Sequence, residues 1–298
     1  MPGGYAHNAR AMYGLAAKAE ALGVRIISGI TVKALESDNS HAITAVDTDR
    51  GRMECDYAVV AAGPWVKSFW EMLELPMEVS IRNPATREVT EGIPMWIYWS
   101  LQEGTLGVDP RLLVTNDGAM PPVIHVDTDA PLYSDEDGRL ITDQLWGIYY
   151  KPDFHFGGVQ GGAAPFIVDK PAADVAVDPY GPASPEFVVG AEFAEMWVSA
   201  LAHCQERFSS TLPKFKKEPS GGIGAFTPDS FPVFDSMREN CFVIADSNHG
   251  YKMIGVGELV AQTICGDKPG LLDPFRFCLL YTSPSPRDRS LSRMPSSA

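Results

Sequence analysis

The sequence predicts a mixed α/β protein in which an α/β domain is interrupted by a second domain built on an antiparallel sheet. Near the N-terminus, a helical pattern leads into a short β-branched run, as in the second half of a β–α–β unit. From about residue 79 to 208, short strand patterns rich in Pro, Gly and aromatic residues take over. Strand and helix patterns then alternate again. The predicted division is 1–78 and 209–277 for the α/β domain, 79–208 for the sheet domain, and 278–298 for a disordered tail.

The first elements follow from hydrophobic spacing. A helical face runs from Ala9 to Leu22 and stops at Gly23, and residues 24–27 predict a strand. Three short strands, separated by polar turns, then predict a β-meander over 32–35, 43–48 and 53–60. In the middle domain, residues 187–208 predict an amphipathic helix. Its Met and aromatic stripe favours a core over a ligand site.

Residues 241–261, CFVIADSNHGYKMIGVGELVA, predict a strand, a tight turn and a helix that starts near Gly250. The first turn of a helix has unpaired backbone N–H groups and the positive end of the helix dipole. Four polar or cationic side chains surround this turn: Asn248, His249, Tyr251 and Lys252. The segment therefore predicts a seat for an anion.

Two glycines inside that predicted helix, Gly255 and Gly257, each lower helix propensity by about 1 kcal/mol relative to alanine. Their missing side chains would let a flat cofactor approach the helix. An alternative stays open, in which these glycines serve helix–sheet packing and His249 only caps the turn. Lys252 likewise has the alternative of a solvated surface lysine.

Composition excludes several classes of partner. The formal charge of −14 at pH 7 argues against nucleic acids and anionic membranes, since both require a basic surface. No apolar run is long enough for a membrane span, and the first residues show no secretory signal. The five cysteines form no CxxC pair. We therefore expect reduced thiols, no metal site and a cytoplasmic location; the sequence leaves the oligomeric state open.

The segment SNHGYKMIGVGELVA resembles the C-terminal flavin-contacting segment of the D-amino-acid oxidase-like, FAD-dependent amine oxidoreductases, a family that includes sarcosine and dimethylglycine oxidases. The meander followed by VVAAGPW and the turn Thr227-Pro228-Asp229 also fall where that family has them. The resemblance implies a FAD-binding Rossmann-like domain beside an antiparallel-sheet substrate domain. It also implies hydride transfer from the carbon of a C–N bond to flavin, with a small amine, N-methyl amino acid or D-amino acid as substrate.

The resemblance assigns roles to particular residues. No cysteine lies at 220–223, where some members attach the flavin covalently, so we expect non-covalent FAD. The cofactor contacts it implies are Val32, Ala62, Gly63, Trp65, Gly224, Asn248, Gly250, Tyr251 and Lys252. The substrate contacts are Tyr149, Tyr150 and His249, and the catalytic residues are His249, Lys252 and His155.

His155 stands where sarcosine-oxidase-like members have an oxygen-activating lysine. Histidine titrates near neutrality, so oxidase and dehydrogenase both stay open, as does a surface role for His155. Residues 57–65 also have the alternative of a core strand stopped by Gly-Pro. A rival to the enzyme hypothesis is a non-catalytic assembly or scaffold protein with the same fold.

Both ends of the sequence predict a fragment. The glycine-rich phosphate turn of such flavoproteins is missing before Met1, and residues 278–288 and 292–298 resemble a translated sequencing adapter. We therefore expect the 298-residue chain to be poorly soluble, to bind FAD weakly or not at all, and to show no turnover.

Overall fold

The computed structural model describes residues 8–82, 86–115, 117–119, 121, 123–155, 157–164, 190–216, 221–228, 231–245 and 253–277. Within these ranges the helices are α1 Asn8–Ala21, α2 Val66–Met72, α3 Ala191–Cys204 and α4 Met253–Ile264. The strands are β1 Val32–Ser37, β2 Ile43–Thr48, β3 Gly51–Glu54, β4 Ala58–Val60, β5 Glu78–Arg82, β6 Val89–Pro94, β7 Ile97–Gly107, β8 Ile124–Thr128, β9 Leu132–Tyr133, β10 Leu140–Thr142, β11 Trp146–Asp153, β12 Gly158–Ala164, β13 Phe215–Lys216, β14 Gly221–Phe226, β15 Val233–Arg238 and β16 Cys241–Ala245.

The chain divides into two compact units. Unit 1 comprises Met1–Ala58 and Arg238–Asn240, and unit 2 comprises Val59–Met237 and Cys241–Ala298. The mixed helix and sheet composition with antiparallel pairing confirms the predicted fold class. The four-part division at residues 78, 208 and 277 stays a prediction.

Unit 1 contains the predicted meander. β1, β2 and β3 form an antiparallel sheet in that order, with Leu35 opposite Val46 and Val46 opposite Met53. The prediction of one strand over 53–60 was wrong in detail, because the chain breaks into β3 and β4, which belong to different sheets. The predicted strand at 24–27 was also wrong: this segment forms no strand in the structure. β-Branched residues raise strand propensity, but a strand also needs a ladder partner.

Helix α1 confirms the predicted helix but not the burial of its apolar stripe. Met12 is 63% exposed, Leu15 48% and Leu22 72%. The following segment is similar, since Val24, Ile26 and Ile27 are each about half exposed. Unit 1 therefore presents several apolar side chains to solvent between residues 12 and 27, and exposed apolar side chains favour association or aggregation.

Asn240 holds the later part of unit 1 to the earlier part. Its side-chain amide donates to the carbonyl oxygens of Ile43 at 2.7 Å and Asp56 at 2.9 Å, and its Oδ1 accepts from the Ile43 N–H at 2.7 Å. Its backbone carbonyl accepts from the N–H of Ala58 at 2.9 Å. The one residue thus satisfies backbone groups at the start of β2 and around the start of β4.

We expect Asn240→Ala to lower the free energy of unfolding by about 2 kcal/mol, because the partly buried N–H and C=O groups of Ile43 lose their partner. Urea denaturation followed by circular dichroism measures this. Asn39→Ala is the matched control in the same unit: Asn39 is exposed in a turn, so its loss should cost less than about 0.5 kcal/mol. Equal effects of the two substitutions would contradict the clamp role of Asn240.

Unit 2 is built on a six-stranded sheet in the order β13-β7-β12-β11-β8, with β14 also paired to β7. Every pairing described in this sheet is antiparallel. Helix α3 covers one face of this sheet. The apolar side chains of α3 are buried there, which confirms the prediction that they belong to the core. The buried cluster joins helix residues to alternate strand residues: Phe193, Met196, Trp197, Leu201, Trp146, Ile148, Tyr150, Leu106 and Val159.

A second sheet of three strands has the order β15-β16-β4. β16 and α4 confirm the strand and helix predicted within 241–261, and residues 246–252 between them lie outside the described ranges. Among the described residues, every helix is too short or too polar to span a lipid bilayer.

Candidate functional site

The six-stranded sheet has one apolar and one polar face because successive side chains of a strand alternate. Along β11, Trp146, Ile148 and Tyr150 belong to the core that α3 covers. Tyr149 and Lys151 therefore lie on the opposite face. The two tyrosines predicted as substrate contacts are thus separated by the sheet itself, and Tyr150 is buried with its hydroxyl bonded to Gln205.

The polar face carries a hydrogen-bonded chain across three strands. The Tyr149 hydroxyl donates to one oxygen of Glu103, and the Gln160 amide donates to the other at 2.6 Å. The Lys151 ammonium donates to the amide oxygen of Gln160. The His125 ring stacks on that of Tyr149 at 5.7 Å, with 25° between the planes. We call Glu103, Tyr149, Gln160 and Lys151 the polar chain.

Burial, together with the charge and hydrogen bond of Glu103, raises the pKa of the Tyr149 phenol well above its ordinary value of 10.0. Tyr149 is therefore a neutral hydrogen-bond donor throughout the physiological range.

This pKa shift predicts a loss of stability in alkali. Above about pH 10 the unfolded chain releases the phenol proton while the folded chain keeps it, so the free energy of unfolding falls as pH rises. The fall is at most about 1.4 kcal/mol per pH unit for this one group. Urea denaturation between about pH 9 and pH 11 should show the fall in wild type, and Tyr149→Phe should lack this component. Parallel curves for the two proteins would contradict the raised pKa.

Three of the predicted cofactor contacts, Gly63, Trp65 and Gly224, come together in unit 2, and a fourth, Ala62, directly precedes Gly63. Strand β4 ends in a 3-10 turn at Gly63–Trp65, and strand β14, which contains Gly224, packs against this turn. Gly63 has a φ of +55°, a left-handed conformation that favours glycine, and no described atom lies within 4 Å of where a Cβ would stand. Trp65 is 42% exposed at the end of the turn.

The other predicted site residues lie elsewhere. Val32 begins β1 in unit 1, opposite Thr48. His155 is exposed in the turn between β11 and β12, where its backbone N–H donates to Asp153 at 2.9 Å. Asn248, His249, Gly250, Tyr251 and Lys252 lie outside the described residues. All the assigned roles stay predictions.

Sequence reasoning missed Glu103 and Gln160. Glu103 lies in the 11-residue strand β7, and its face follows from the register that sets it opposite Gly162 of β12. Strand alternation alone would have separated Tyr149 from Tyr150. The pairing of Glu103 with Tyr149 depends on strand order, which local sequence does not reveal.

The sequence profile of the DAO family, described as FAD dependent oxidoreductases, matches residues 1–91. No curated protein sequence matches the chain significantly. Among solved structures, L-proline dehydrogenase from P. horikoshii aligns with a TM-score of 0.54 at 18% identity, over 89% of this chain and 57% of that one.

Two further solved structures align with this chain at similarly low identity and over similar shares of both chains. A modified fructosyl peptide oxidase from Aspergillus nidulans aligns with a TM-score of 0.56 at 14% identity, over 97% of this chain and 63% of that one. Glycine oxidase from Geobacillus kaustophilus aligns with a TM-score of 0.50 at 15% identity, over 91% and 56%. The chain thus spans 56–63% of the length of these three structures.

At these identities the structural likeness establishes the fold alone, which this chain shares with these dehydrogenase and oxidase structures. Over residues 1–91 the chain is similar to the family of FAD dependent oxidoreductases.

Proposed function

We propose that the protein binds FAD non-covalently and oxidises the C–N bond of a small amine or amino acid. The substrate classes that we consider are N-methyl amino acids and D-amino acids. The observation that carries the proposal is the open left-handed turn at Gly63, packed against β14, within a chain whose first 91 residues match a FAD-dependent family. The named activities of the structural neighbours, on proline, glycine and fructosyl peptides, support the substrate class.

The described residues fit a flat cofactor. No described atom lies within 4 Å of the missing Cβ of Gly63, Gly255 or Gly257, so backbone is open to approach at each position. Gly255 and Gly257 are exposed on α4, which weakens the alternative that they exist for packing within the described part of the chain. The backbone at Ala62 and Gly63 would lie along the cofactor, and we retain Val32, Trp65, Gly224, Asn248, Gly250, Tyr251 and Lys252 as further contacts.

When bound, FAD accepts the hydride, and the remaining tasks fall to the protein. The start of α4, with Lys252 nearby, would stabilise negative charge on the reduced ring. His249 would lie at the substrate edge. On the polar face of the sheet, Glu103 would supply a negative charge for orienting the substrate, and the Tyr149 hydroxyl, which donates to Glu103, would hold that carboxylate in place.

Flavin binding separates this proposal from a non-catalytic scaffold. Because the 298-residue chain by itself is expected to bind FAD weakly or not at all, the test uses the parent protein extended from its source DNA. That protein should be mixed with FAD, and quenching of flavin fluorescence should give a saturable binding curve. Gly63→Val should weaken FAD binding at least about tenfold, because it fills the space beside the turn and strains a positive φ. Gly118→Val is the matched control, since Gly118 has a φ of +80° and equally open surroundings.

Equal FAD affinity in the two valine variants would remove Gly63 from the site. Absence of any FAD binding by the parent protein extended from its source DNA would favour the scaffold alternative. Where FAD binds, bleaching of its absorbance by N-methyl amino acids or by D-amino acids would decide between those substrate classes. Peroxide formation in air would then distinguish an oxidase from a dehydrogenase, a choice on which the role of His155 depends.

A further inference from the structure

Strand β8 forms one outer edge of the six-stranded sheet. Among the described strands, only β11 pairs with it. Because successive residues of an antiparallel strand direct their backbone groups to opposite sides, alternate N–H and C=O groups of Ile124–Thr128 face away from β11. In the part of the chain that the structure describes, these groups have no hydrogen bond outside the β11 ladder. Such an edge is a template for pairing with another strand.

The side chains of β8 alternate between the two faces of the sheet. Ile124 and Val126 pack against the core that α3 covers, whereas His125 and Asp127 are exposed on the opposite face. Within the described residues, neither the His125 ring nor the Asp127 carboxylate has a hydrogen bond or an ion pair. The stack on Tyr149 orients the His125 ring. The edge thus carries a basic and an acidic group two residues apart on one face.

A second copy of β8 complements this edge. Two copies of one strand that pair antiparallel are related by a two-fold axis, and opposing residues lie on the same face of the sheet. An axis through a residue therefore keeps the polar faces of the two copies together, whereas an axis between residues would set polar side chains opposite apolar ones. With the axis at Val126, His125 of each copy lies opposite Asp127 of the other.

The other registers that keep the polar faces together are less favourable. An axis at His125 sets two imidazoles opposite each other, and an axis at Asp127 sets two carboxylates opposite each other. Like charges directly opposite each other in a sheet are destabilising, whereas opposite charges stabilise the pairing. Charge therefore favours the axis at Val126, where two pairs of histidine and aspartate form.

We propose that β8 is a homodimer interface, at which two copies of this chain pair their β8 strands antiparallel with Val126 on the two-fold axis. The two six-stranded sheets then become one, and the apolar side chains of Ile124 and Val126 adjoin those of the second copy. Five paired residues are few for a protein interface, so we expect a dissociation constant in the micromolar range. The proposal does not depend on flavin, and its failure would leave the proposed function untouched.

The test measures the monomer–dimer equilibrium by analytical ultracentrifugation, with the parent protein extended from its source DNA. A pH of about 6 keeps more of the His125 rings protonated, and about 0.15 M salt screens the repulsion between two acidic chains. Wild type should dimerise. His125→Asp should weaken the dimer at least about tenfold, because two attractive pairs become two pairs of carboxylates.

Two further variants test the register and the role of charge. The double variant His125→Asp with Asp127→His restores opposite charges across the axis at Val126. It should bring the dissociation constant back to within about threefold of wild type. His41→Asp makes the same change of charge at an exposed turn of unit 1, so it should change the dissociation constant less than about twofold.

Three outcomes would overturn the proposal: a wild type that is monomeric at about 100 µM, a dimer that His125→Asp leaves unaltered, or a double variant as weak as His125→Asp alone. If a variant does not fold, amide hydrogen exchange of wild type decides the question. Amides of Ile124–Thr128 that face away from β11 should exchange more slowly as the protein concentration rises. Exchange that is independent of concentration would also overturn the proposal.

Discussion

Replacing Gly161 with alanine should destabilise unit 2 by about 3 kcal/mol or more, the largest effect expected for a change of one methyl group in this chain. An added Cβ would lie 1.9 Å from the carbonyl oxygen of Tyr149 and 2.8 Å from the Cα of Tyr150. Both are backbone atoms of the paired strand β11, so no side-chain rotation can relieve the clash. The strands must separate or bend at the centre of the sheet.

Urea denaturation measures this effect, with Gly14→Ala as the control for a glycine-to-alanine change. Gly14 lies inside α1, and no described atom lies within 4 Å of the place that a methyl group would take, so alanine there should stabilise the helix by about 0.5–1 kcal/mol. The same glycine-to-alanine change is therefore expected to lower the free energy of unfolding at position 161 and to raise it at position 14. A Gly161→Ala variant as stable as wild type would show that β11 and β12 approach less closely than described.

The second large effect is expected at Trp197, whose replacement by alanine should cost about 3–5 kcal/mol. This side chain is fully buried between α3 and the sheet. Its ring stacks with Phe193 at 6.1 Å and meets the edge of Phe215 at 6.3 Å. Alanine would leave a cavity beneath the strands that carry the polar chain.

Trp65→Ala is the control for Trp197→Ala, since Trp65 is 42% exposed and its loss should cost less than about 1 kcal/mol in the flavin-free chain. Thermal unfolding monitored by circular dichroism compares the two variants. A difference smaller than about 1 kcal/mol between them would contradict the central position of Trp197 in the core.

The sequence predicted best those helices and strands in which apolar residues repeat at a regular spacing. Helix α3 repeats apolar residues at helical spacing, and the meander alternates between short runs and polar turns, so both were confirmed. The segment 24–27 has strong strand propensity, but its side chains are about half exposed and it has no ladder in the structure. Propensity gives the preferred dihedral angles, whereas a strand exists only where a partner supplies hydrogen bonds.

The candidate site was harder to predict from sequence because its residues are far apart along the chain. Gly63 was assigned to the cofactor by the family resemblance alone, and its positive φ explains why glycine stands at that turn. Glu103 is 46 residues from Tyr149 and 57 from Gln160, and only the strand order brings them together. Tyr149 and Tyr150 look equivalent as neighbours in sequence, yet the pleat assigns them to opposite faces.

The bonds between Asn240 and Ile43 have a consequence for synthesis on the ribosome. These residues are 197 positions apart, and Arg238–Asn240 belong to the same compact unit as the first 58 residues. A ribosome adding about 5–20 residues per second would need roughly 10–40 s to reach Asn240 after the meander has emerged. Throughout that interval the Ile43 backbone lacks its partner, and the meander has not been tied to the Asp56 end of the unit. Chaperone binding to nascent chains should therefore peak before residue 240 is made and decline after it.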